Sequence, residues 1–473
     1  MAGHPREQQR ALSADARAVA IEVLRRVDQE GAWASRALDA ELKRRGASGR
    51  DAALAAEIVY GTLRTLPWLD ARLATRMKRS GRVDALTRAA LRVGLYQLQH
   101  LSRVPPHAAV NASVNAVREA RGQRVAGFVN AVLRGLAADR PREPAPPERV
   151  ALPAWLEQAL IASLGAERAD TLTRARVLPP PLDLRVSAGR EVAEVLERLR
   201  DAALVEADAD AGPGSTADAG QGPTADGERG GPVFDTLPAS PRALRVKRAG
   251  DPRRLPGFDE GDFVVQEIGS QLIAQLVDAQ PGERIADACA GRGGKTLLLA
   301  EAVGATGHVS AFELHEARLE QIPAALTHVG CQTEVELVCA DLAVGCAGLE
   351  GRFDRVLIDA PCTGVGTFHR RPELLLRLSQ NDPERMGALQ ARLLANAAQL
   401  ARPGGVVCYA VCSPLAEEGA AVAGQAAALG LRPLPFGDDA CVPPDTDGAV
   451  RIGPWTPGVA ESADAYQVFR FLR

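Results

Sequence analysis

Apolar side chains recur at helical spacing through the first third of the chain. Val19, Val23, Leu24 and Val27 repeat as the buried face of an amphipathic helix does. The same spacing continues in the segments EIVYGTLR, DALTRAALRVGLYQLQHL and FVNAVLRGL. The run PPHAAVNASVNAVREA has prolines where a helix has its first turn. We therefore predict an all-α helical bundle over residues 1–140.

The pattern changes after the bundle. Residues 141–147 are rich in proline, which is typical of a linker, and residues 152–165 have the composition of a helix. A strand, PPPLDLRVS, then precedes a helix, REVAEVLERLRDAAL. We predict a linker and connecting helix over 141–178 and a small α+β segment over 179–262. Within that segment, residues 208–232 contain almost no large apolar side chains, so we expect a disordered insert.

Strands and helices alternate after Glu283. The apolar strands are RIADACA, HVSAFEL, VELVCAD, RVLIDAPC and VVCYAVC, and helical segments such as GKTLLLAEAV separate them. Such alternation predicts a Rossmann-like, doubly wound α/β domain with a largely parallel sheet. We place this domain at residues 263–473. Because ligands bind beyond the carboxyl ends of the strands in such sheets, we expect the functional residues there.

Composition limits the class of protein. The chain has 473 residues, of which 46% are hydrophobic, enough for the cores of two or three domains. No apolar run is long enough to cross a bilayer, and the N-terminus MAGHPREQQR lacks the apolar core of a signal peptide. We expect a soluble, monomeric, cytoplasmic protein. The eight cysteines include no Cys-x-x-Cys pair and the seven histidines are scattered, so we predict no metal site.

Charge is distributed unevenly along the chain. Residues 1–140 contain 24 Lys and Arg against 13 Asp and Glu, a balance of +11, so the remainder has 32 against 46, a balance of −14. A basic domain joined to an acidic one often binds a polyanion, although a solvated helical surface has the same balance. The side chains that would form a phosphate-binding face are Arg25, Arg26, Lys43, Arg44, Arg45, Lys78, Arg79 and Arg82.

The segment DACAGRGGKT follows a strand and opens a helix. Gly291, Gly293 and Gly294 allow the backbone to approach a ligand, with the N–H groups of a helix N-terminus behind them. A phosphate-binding P-loop needs a glycine at position 289, which is cysteine. A dinucleotide fold needs Gly-x-Gly-x-x-Gly, of which only the first half is present. S-adenosylmethionine requires less, a glycine turn and an acid for the ribose hydroxyls.

Acidic side chains follow three successive strands. Glu313 ends HVSAFE, 22 residues after Gly291, a spacing that also suits NAD. Asp341 ends VELVCAD, where a carboxylate can bind the exocyclic amine of adenine or simply cap a helix. Asp359 ends RVLID. The three acids together favour an adenosine-type cofactor, S-adenosylmethionine in particular.

Two apolar strands end at a cysteine beside a proline. Cys362 lies in FDRVLIDAPCTG and Cys412 in GGVVCYAVCSP. A thiolate that adds to C6 of cytosine allows C5 to accept a methyl group, and a second cysteine can help to release the product or act as the base. This chemistry does not decide which cysteine has which role. Asp359, three residues before Cys362, would hold the N3/N4 edge of the base. The cysteines that we expect to be core residues are Cys289, Cys339 and Cys408.

The chain resembles the RNA cytosine-C5 methyltransferases of the RsmB/Nop2 group in four segments. These are VQEIGSQ (265–271), DACAGRGGKT (287–296), FDRVLIDAPCTGVGTFHRRPEL (353–374) and GGVVCYAVCSPLAEEG (404–419). The helical N-terminal region, with EIVYGTLR, LRVGLYQLQHL, PPHAAVNASVNAV and FVNAVLR, is similar to the NusB-type RNA-binding domain. The resemblance covers nearly the whole chain apart from the predicted insert.

The resemblance implies an enzyme that transfers a methyl group from S-adenosylmethionine to C5 of a cytosine in small-subunit (16S) rRNA. It implies that Cys412 attacks C6 and that Cys362 assists release of the methylated RNA. Asp359, which would hold the N3/N4 edge of the base, is the third catalytic residue that we predict. The cofactor-binding residues that it implies are Cys289, Ala290, Gly291, Arg292, Gly293, Gly294, Lys295, Glu313, Asp341 and Asp359. Gly291-Arg292 replaces the Ala-Pro that is usual in this family, a difference that bears on cofactor affinity.

Other functions remain compatible with parts of the sequence. A tRNA cytosine is the alternative substrate, and a non-catalytic RNA-binding protein is the alternative to an enzyme. A P-loop ATPase is disfavoured because the first glycine of its loop is absent. If the substrate is a flipped cytosine in RNA, the side chains expected to hold the RNA beside it are Phe368, His369, Arg370 and Arg371.

Overall fold

The computed structural model describes residues 15–77, 83–139, 148–177, 180–211, 232–247, 250–345, 347–437, 440–459 and 463–473. The chain forms two compact units. No helix in the described ranges is both long and apolar enough to cross a membrane.

The first unit is a bundle of α-helices. Its helices in the described ranges are α1 (Ala16–Glu30), α2 (Ala34–Arg45), α3 (Gly49–Arg64), α4 (Leu66–Ala74), α5 (Ala85–His100), α6 (Pro106–Arg121) and α7 (Gln123–Ala137). The carboxylates of Asp15 and Asp84 accept N–H groups in the first turns of α1 and α5 and so cap these helices. Helix α5 is buried from residue 89 to residue 99 and forms the centre of the bundle.

A short segment from the C-terminal half of the sequence, Phe368–Leu378, belongs to the first unit. Its buried Glu373 accepts the N–H of Ala34 at 3.0 Å, at the N-terminus of α2, where the helix dipole favours a negative charge. The guanidinium carbon of Arg377 lies 4.1 Å from the ring centre of Trp33, a cation–π contact. Polar contacts therefore connect this segment to the start of α2.

The second unit begins with two helices and a small antiparallel sheet. Its first elements are α8 (Ala154–Leu164), α9 (Ala166–Ala175), β1 (Leu182–Val186), α10 (Val192–Ala211), β2 (Val233–Thr236), β3 (Ala243–Lys247) and β4 (Phe263–Val265). The strand order is β2-β3-β1-β4, and Val195 and Leu199 of α10 pack in its core. Residues 141–147 and 212–231, where we predicted the linker and most of the insert, lie outside the described residues.

A larger sheet forms the rest of the second unit. Its strands are β5 (Arg284–Asp287), β6 (His308–Glu313), β7 (Glu334–Cys339), β8 (Phe353–Asp359), β9 (Ala401–Val411), β10 (Arg432–Pro433), β11 (Val450–Ile452) and β12 (Tyr466–Leu472). The strand order is β10-β12-β9-β8-β5-β6-β7, with β11 paired to β12. Strands β5 to β9 pair in parallel, whereas β12 is antiparallel to β9.

Helices cover both faces of the large sheet. They are α11 (Ile268–Leu276), α12 (Gly294–Val303), α13 (Glu316–Leu319), α14 (Ile322–His328), α15 (Asp382–Ala397) and α16 (Ala420–Ala423). Apolar side chains of α11 and α12 pack in one core with Leu357 of β8. Those of α15 pack in a second core with Val356 and Ile358 of the same strand. Alternate residues of β8 thus face opposite layers, and the predicted fold class is confirmed.

Candidate active site

The predicted site residues lie along the carboxyl edge of the large sheet. Cys412 follows β9, Asp359 ends β8, and the glycine loop follows β5. Glu313 ends β6, and the loop after β7 carries Asp341. Because β9, β8, β5, β6 and β7 are neighbours in that order, the side chains form a row along one edge.

The two strand-end cysteines are in contact. The Sγ atoms of Cys362 and Cys412 lie 3.1 Å apart. The Gly366 N–H donates to the Cys412 carbonyl at 3.0 Å, which ties the two loops together. The hydrogen bond with Cys412, together with burial, raises the pKa of the Cys362 thiol well above its usual range. Cys362 is therefore a neutral thiol that can donate to the sulfur of Cys412.

An ion pair lies at the same edge. Lys295 Nζ and Asp359 Oδ2 are 2.5 Å apart. Burial disfavours the Lys295 ammonium, but the charge and hydrogen bond of Asp359, with a smaller contribution from the sulfur of Cys412, raise its pKa. A positive charge is thus held next to both Asp359 and Cys412. Sequence reasoning identified these residues without identifying the pairing of Lys295 with Asp359.

A second aspartate lies beneath the glycine loop. Asp287 ends β5, is buried, and accepts the Thr296 hydroxyl at 2.7 Å. Burial raises its pKa to about 6, against the opposing effect of the Thr296 hydrogen bond. Sequence analysis gave this residue no role, although it opens the DACAGRGGKT segment. It supports the loop from below by bonding to the first turn of α12.

The glycine loop has the shape of a ligand cradle. Gly291 (φ +59°) and Gly293 (φ +84°) have left-handed backbones. A Cβ atom at Gly291 would meet no protein atom within 4 Å, so the loop is open on that side. The N–H groups of α12 begin directly behind the loop, and the neighbouring Arg292 side chain is exposed. A carboxylate ligand beside Gly291 would therefore meet the N–H groups of a helix N-terminus.

Glu313 connects the glycine loop to the end of β6. It is buried, and its Oε2 accepts the Gly291 N–H at 3.1 Å. Its Oε1 accepts the His315 N–H and a guanidinium N–H of Arg318, both at 3.1 Å. Oε2 therefore keeps a lone pair for a further donor such as a hydroxyl. This arrangement, with the open glycine loop, fits the ribose of an adenosine-type cofactor.

Other predicted contacts have simpler local roles. Asp341 is exposed and accepts the Ala343 N–H at 2.9 Å within a turn, not at the start of a helix, and its contact with adenine stays a prediction. Burial raises the pKa of the Cys289 thiol above its usual value, and the Ala290 N–H donates to the Phe312 carbonyl. Cys289 and Ala290 can thus contribute to the loop mainly through their backbone.

One cysteine prediction is wrong. Cys408 is buried in the core, as expected, but Cys339 is exposed. Its strand, β7, is the last of the sheet and has a neighbour on one side only. The apolar pattern of VELVCAD does not reveal this edge position. Among the described residues, no group of three or more His, Cys, Asp or Glu side chains is arranged to hold a metal ion.

The predicted RNA-contacting side chains differ in availability. Arg25 and Arg26 pair with Glu30, and Arg44 and Arg45 both pair with Glu41, so part of their charge is neutralised. Lys78, Arg79 and Arg82 lie outside the described residues. The phosphate-binding face therefore stays a prediction.

The segment after the first cysteine loop is less accessible than we expected. Phe368 and His369 are buried, with 1% and 0% of their surfaces exposed, so the prediction that they hold RNA is wrong. Both belong to the first unit, where the Arg176 guanidinium carbon lies 5.8 Å from the Phe368 ring centre. Arg371 is exposed and Arg370 is half-buried.

Sequence reasoning missed a buried glutamate in the second cysteine loop. Glu418 has no exposed surface and bonds to Thr363 and Ser413, the residues that follow the two cysteines. Its signal was a pair of charged residues, Glu417 and Glu418, near the end of the apolar run VVCYAVCSPLAEEG. That signal alone does not say which groups the carboxylate meets, because Thr363 is far away in the sequence.

Two family models match the chain. Residues 274–429 match the model described as 16S rRNA methyltransferase RsmB/F. Residues 14–138 match the NusB family model. The matches fall on the large-sheet region and on the helical bundle respectively.

Relatives that match over most of the chain agree with the family models. A protein of Mycobacterium tuberculosis to which methyltransferase activity has been ascribed is 36% identical over 430 residues, 86% of each chain. The ribosomal RNA small subunit methyltransferase B of Pseudomonas syringae pv. tomato is 32% identical over 404 residues, 84% of this chain and 83% of that protein. The crystal structure of PH0851 has a TM-score of 0.74 at 21% identity, covers 98% of this chain and 100% of that chain, and shares the fold.

Proposed function

The chain belongs to the 16S rRNA methyltransferase RsmB/F family of S-adenosylmethionine-dependent enzymes, and we propose that it methylates C5 of a cytosine in small-subunit rRNA through a cysteine adduct at C6. The observation that carries this proposal is the contact of Cys362 with Cys412, 3.1 Å between sulfurs, beside the Lys295–Asp359 pair. Family membership also agrees with the motifs from which we predicted it.

The charges around the cysteines support different roles for them. The sulfur of Cys412 contributes to raising the pKa of Lys295, so the Lys295 ammonium and this sulfur are neighbours. The hydrogen bond with Cys412, together with partial burial, raises the pKa of Cys362 and keeps it a neutral thiol. In the proposal, Cys412, the cysteine beside the Lys295 ammonium, is the nucleophile, and Cys362 is the thiol that donates a hydrogen bond to its sulfur. These are the roles that the family resemblance implied.

In the proposed reaction, the thiolate of Cys412 is regenerated at the end of each turnover. The thiolate electron pair of Cys412 would form a bond to C6, and the C5–C6 π electrons would form the bond from C5 to the methyl carbon. The bond from that carbon to the sulfonium sulfur would break, and its electron pair would stay on the sulfur as a neutral thioether. A base removes the proton from C5, the released pair re-forms the C5–C6 double bond, and the C6–S bond breaks. The departing thiolate of Cys412 lies in contact with the Cys362 thiol, whose hydrogen bond stabilises it as a leaving group.

Asp359 and Lys295 offer complementary groups to the base. The N4 amine of cytosine is a donor and N3 is an acceptor, so the edge needs one acceptor and one donor from the protein. The Asp359 carboxylate supplies the acceptor and the Lys295 ammonium supplies the donor. A donor at N3 withdraws electrons from the ring and favours addition at C6. We therefore assign both residues to substrate binding and activation.

The remaining predicted residues fit the cofactor. S-adenosylmethionine, when bound, supplies a methyl group on a positively charged sulfur. Glu313 would accept its ribose hydroxyls, and the loop from Cys289 to Lys295 would face its amino-acid portion. Asp341 stays the proposed contact of the adenine amine. In this proposal Arg292 attracts the carboxylate of the cofactor in place of the usual proline.

The experiment that tests this proposal is methyl transfer followed by identification of the product. The wild-type protein is incubated with methyl-labelled S-adenosylmethionine and deproteinised small-subunit rRNA, with tRNA in parallel, and each RNA is digested to nucleosides. The proposal expects label in 5-methylcytidine from rRNA. Label in another nucleoside would contradict the C5 chemistry, label in tRNA alone would contradict the substrate, and no label in either RNA would favour a binding protein without this activity.

A further inference from the structure

One buried carboxylate lies between the two loops that carry the cysteines. Oε1 of Glu418 accepts the Thr363 N–H at 2.7 Å and an Nε2–H of Gln390 at 3.3 Å. Its Oε2 accepts the Thr363 and Ser413 hydroxyls, each at 2.5 Å. Glu418 has no exposed surface, so these contacts replace water completely. Each carboxylate oxygen thus has two protein donors.

The direction of these hydrogen bonds requires an acceptor at position 418. The backbone N–H of Thr363 and the Nε2–H of Gln390 are donors and cannot accept a hydrogen bond. The Ser413 hydroxyl accepts the Leu415 N–H at 3.3 Å, so its own proton points to Glu418. Burial raises the pKa of Glu418, and the hydrogen bonds from Ser413 and Thr363 oppose that shift. The four donors therefore compensate a buried negative charge.

The residues that Glu418 binds are the direct neighbours of the cysteines. Thr363 follows Cys362 in the chain, and Ser413 follows Cys412. The two cysteine loops come from different strands, β8 and β9, and are 50 residues apart in sequence. A carboxylate that bonds both neighbours fixes one loop relative to the other. The distance between the two sulfurs then depends on this bridge.

Two further contacts hold the bridge itself in place. The Tyr409 hydroxyl donates to the backbone carbonyl of Glu418 at 2.5 Å. The Gln390 amide, besides bonding to Glu418, donates to the Pro361 carbonyl at 2.9 Å, directly before Cys362. The carboxylate therefore cannot rotate away without breaking bonds that are themselves buried, which is the condition for precise positioning.

We propose that Glu418 is a positioning residue for the reaction: its carboxylate joins the Cys362 loop to the Cys412 loop and holds the two sulfurs in contact. Glu418 acts through Thr363 and Ser413 and does not touch the substrate. The catalytic consequence rests on the proposed function, because only a reaction that uses both cysteines needs them in contact. The geometric claim, that the bridge sets the distance between the sulfurs, can be tested without RNA or cofactor.

The negative charge of Glu418 has a second, smaller effect, on the pKa of Cys362. The hydrogen bond with Cys412 and burial are the largest causes that raise the pKa of Cys362, and the charge of Glu418 adds to them. Glu418 thus favours the neutral thiol at Cys362.

The first measurement uses the reaction of the two thiols with diamide. The two thiols lose their hydrogens to diamide and form a disulfide. The rate of disulfide formation depends on how often the two sulfurs are in contact. Peptide mapping by mass spectrometry identifies the Cys362–Cys412 product among the other cysteines. In Glu418→Ala we expect this rate to fall at least about tenfold, because reaction rates are sensitive to ångström-scale misplacement. Glu418→Gln keeps one acceptor and should give an intermediate rate.

The matched control is Glu384→Gln. Glu384 is an exposed glutamate on α15, the helix that carries Gln390, so the control removes one negative charge without touching the bridge. We expect the wild-type rate of disulfide formation. If Glu418→Ala does not fold, Ser413→Ala removes a single donor with little change of volume, and a fall of about threefold or more is expected from that variant.

The second measurement separates positioning from simple stability. At a temperature where the variants are folded, we expect Glu418→Gln to lower kcat for RNA methylation at least about tenfold with the KM for S-adenosylmethionine within about twofold. A merely structural role would leave kcat unchanged for the folded fraction. If wild type methylates no RNA, the proposed function fails, while the disulfide rates still decide whether Glu418 positions the sulfurs.

Two results would overturn the inference. Disulfide formation at the wild-type rate in Glu418→Ala, or in Ser413→Ala where that variant replaces it, would mean that the bridge does not set the distance. Failure of the wild-type protein to form the Cys362–Cys412 disulfide would contradict the sulfur contact on which the inference depends.

Discussion

Two aspartates at the ends of neighbouring strands have different hydrogen-bond partners. Asp359 at the end of β8 pairs with the Lys295 ammonium, 2.5 Å away. Asp287 at the end of β5 is buried and has the Thr296 hydroxyl, a neutral donor, at 2.7 Å. Burial therefore dominates at Asp287 and raises its pKa to about 6.

This difference predicts how Asp287→Asn changes stability with pH. The ordinary pKa of Asp287 is 3.8 and its folded pKa is about 6, so the folded protein binds more protons than the unfolded chain between these values. The contribution of Asp287 to the free energy of unfolding therefore falls as pH rises through this window. Asparagine does not titrate. The free energy of unfolding of Asp287→Asn, measured with urea, should therefore rise by about 1 kcal/mol relative to that of wild type between about pH 5 and about pH 7.5.

Asp354→Asn is the control for this prediction. Hydrogen bonds from Arg284 and Arg402 outweigh burial and lower the pKa of Asp354, so the sign is opposite. The loss of free energy of unfolding caused by Asp354→Asn should therefore become larger as pH rises through the range where Asp354 ionises. A pH-independent difference for Asp287→Asn would show that its pKa is not raised.

Single residues at strand ends were predictable from the sequence, and their partners were not. A strand that ends at Cys362 or Cys412 places the cysteine at the ligand edge of the sheet, because the edge follows from the alternation of strands and helices. The bridge from Glu418 to Thr363 could not be predicted, since it depends on the exact approach of two loops. The burial of Phe368 also depends on residues that are distant in sequence.

The start of helix α12 shows how an element prepares a binding site. Gly291 and Gly293 both have left-handed backbones, but their surroundings differ. A Cβ atom at Gly293 would lie 2.8 Å from Cγ1 of Ile322 in α14, whereas one at Gly291 would meet no protein atom within 4 Å. Gly293 thus permits packing within the protein, and Gly291 leaves space that a ligand can fill.

Substitution of the two glycines by alanine should separate these roles. Gly293→Ala should lower the free energy of unfolding by at least about 1 kcal/mol more than Gly291→Ala, because it also overpacks the contact with Ile322. Gly291→Ala, in contrast, should weaken binding of S-adenosylmethionine at least about tenfold, since its methyl group occupies the cofactor space. Chemical denaturation and calorimetric titration measure the two effects. Wild-type affinity in Gly291→Ala would place the cofactor elsewhere.

The pattern of apolar residues predicts elements better than it predicts their place in a sheet. Helix α5 and strand β8 are predicted from the spacing of apolar residues alone, because burial of one or both faces of an element makes apolar residues recur at a regular interval. Strand β7 has an equally apolar sequence but lies at the sheet edge, where Cys339 is exposed. Strand order is set by contacts between distant segments, so the sequence pattern contains no record of it.

Across the second unit, a buried ion pair joins the small sheet to elements of the larger one. Asp183 in β1 accepts two guanidinium N–H groups of Arg245 in β3, at 2.7 and 3.1 Å. The same carboxylate accepts the N–H of Ile268, the first residue of α11, at 3.1 Å. Arg245 also donates to the carbonyl of Val459 at 3.2 Å. Four chain segments meet at this pair.

We expect Asp183→Ala to be strongly destabilising. It leaves the Arg245 charge buried without its partner, which costs about 3–5 kcal/mol. The matched control is Asp235→Ala, which removes the exposed pair with Lys247 in the same sheet, 3.1 Å long, and should cost less than about 1 kcal/mol. Urea unfolding of the full chain measures both. Equal costs for the two substitutions would contradict the importance of burial.

At the scale of the whole chain, composition and the spacing of apolar residues were sufficient to predict an all-α bundle followed by α/β structure. They could not predict that Phe368–Leu378 belongs to the first unit. Local pattern assigns this segment to the domain that surrounds it in sequence. Its actual place depends on particular contacts, such as Glu373 with Ala34 and Arg377 with Trp33.

The most direct test of the account is a comparison of wild type, Cys412→Ala and Cys362→Ala in one methylation assay. Each protein receives labelled S-adenosylmethionine and deproteinised small-subunit rRNA, and a denaturing gel separates free RNA from protein–RNA adducts. The account predicts labelled free RNA with wild type, neither label nor adduct with Cys412→Ala, and an accumulating labelled adduct with Cys362→Ala. Methylation that survives Cys412→Ala and disappears in Cys362→Ala would contradict it, because the nucleophile would then be Cys362.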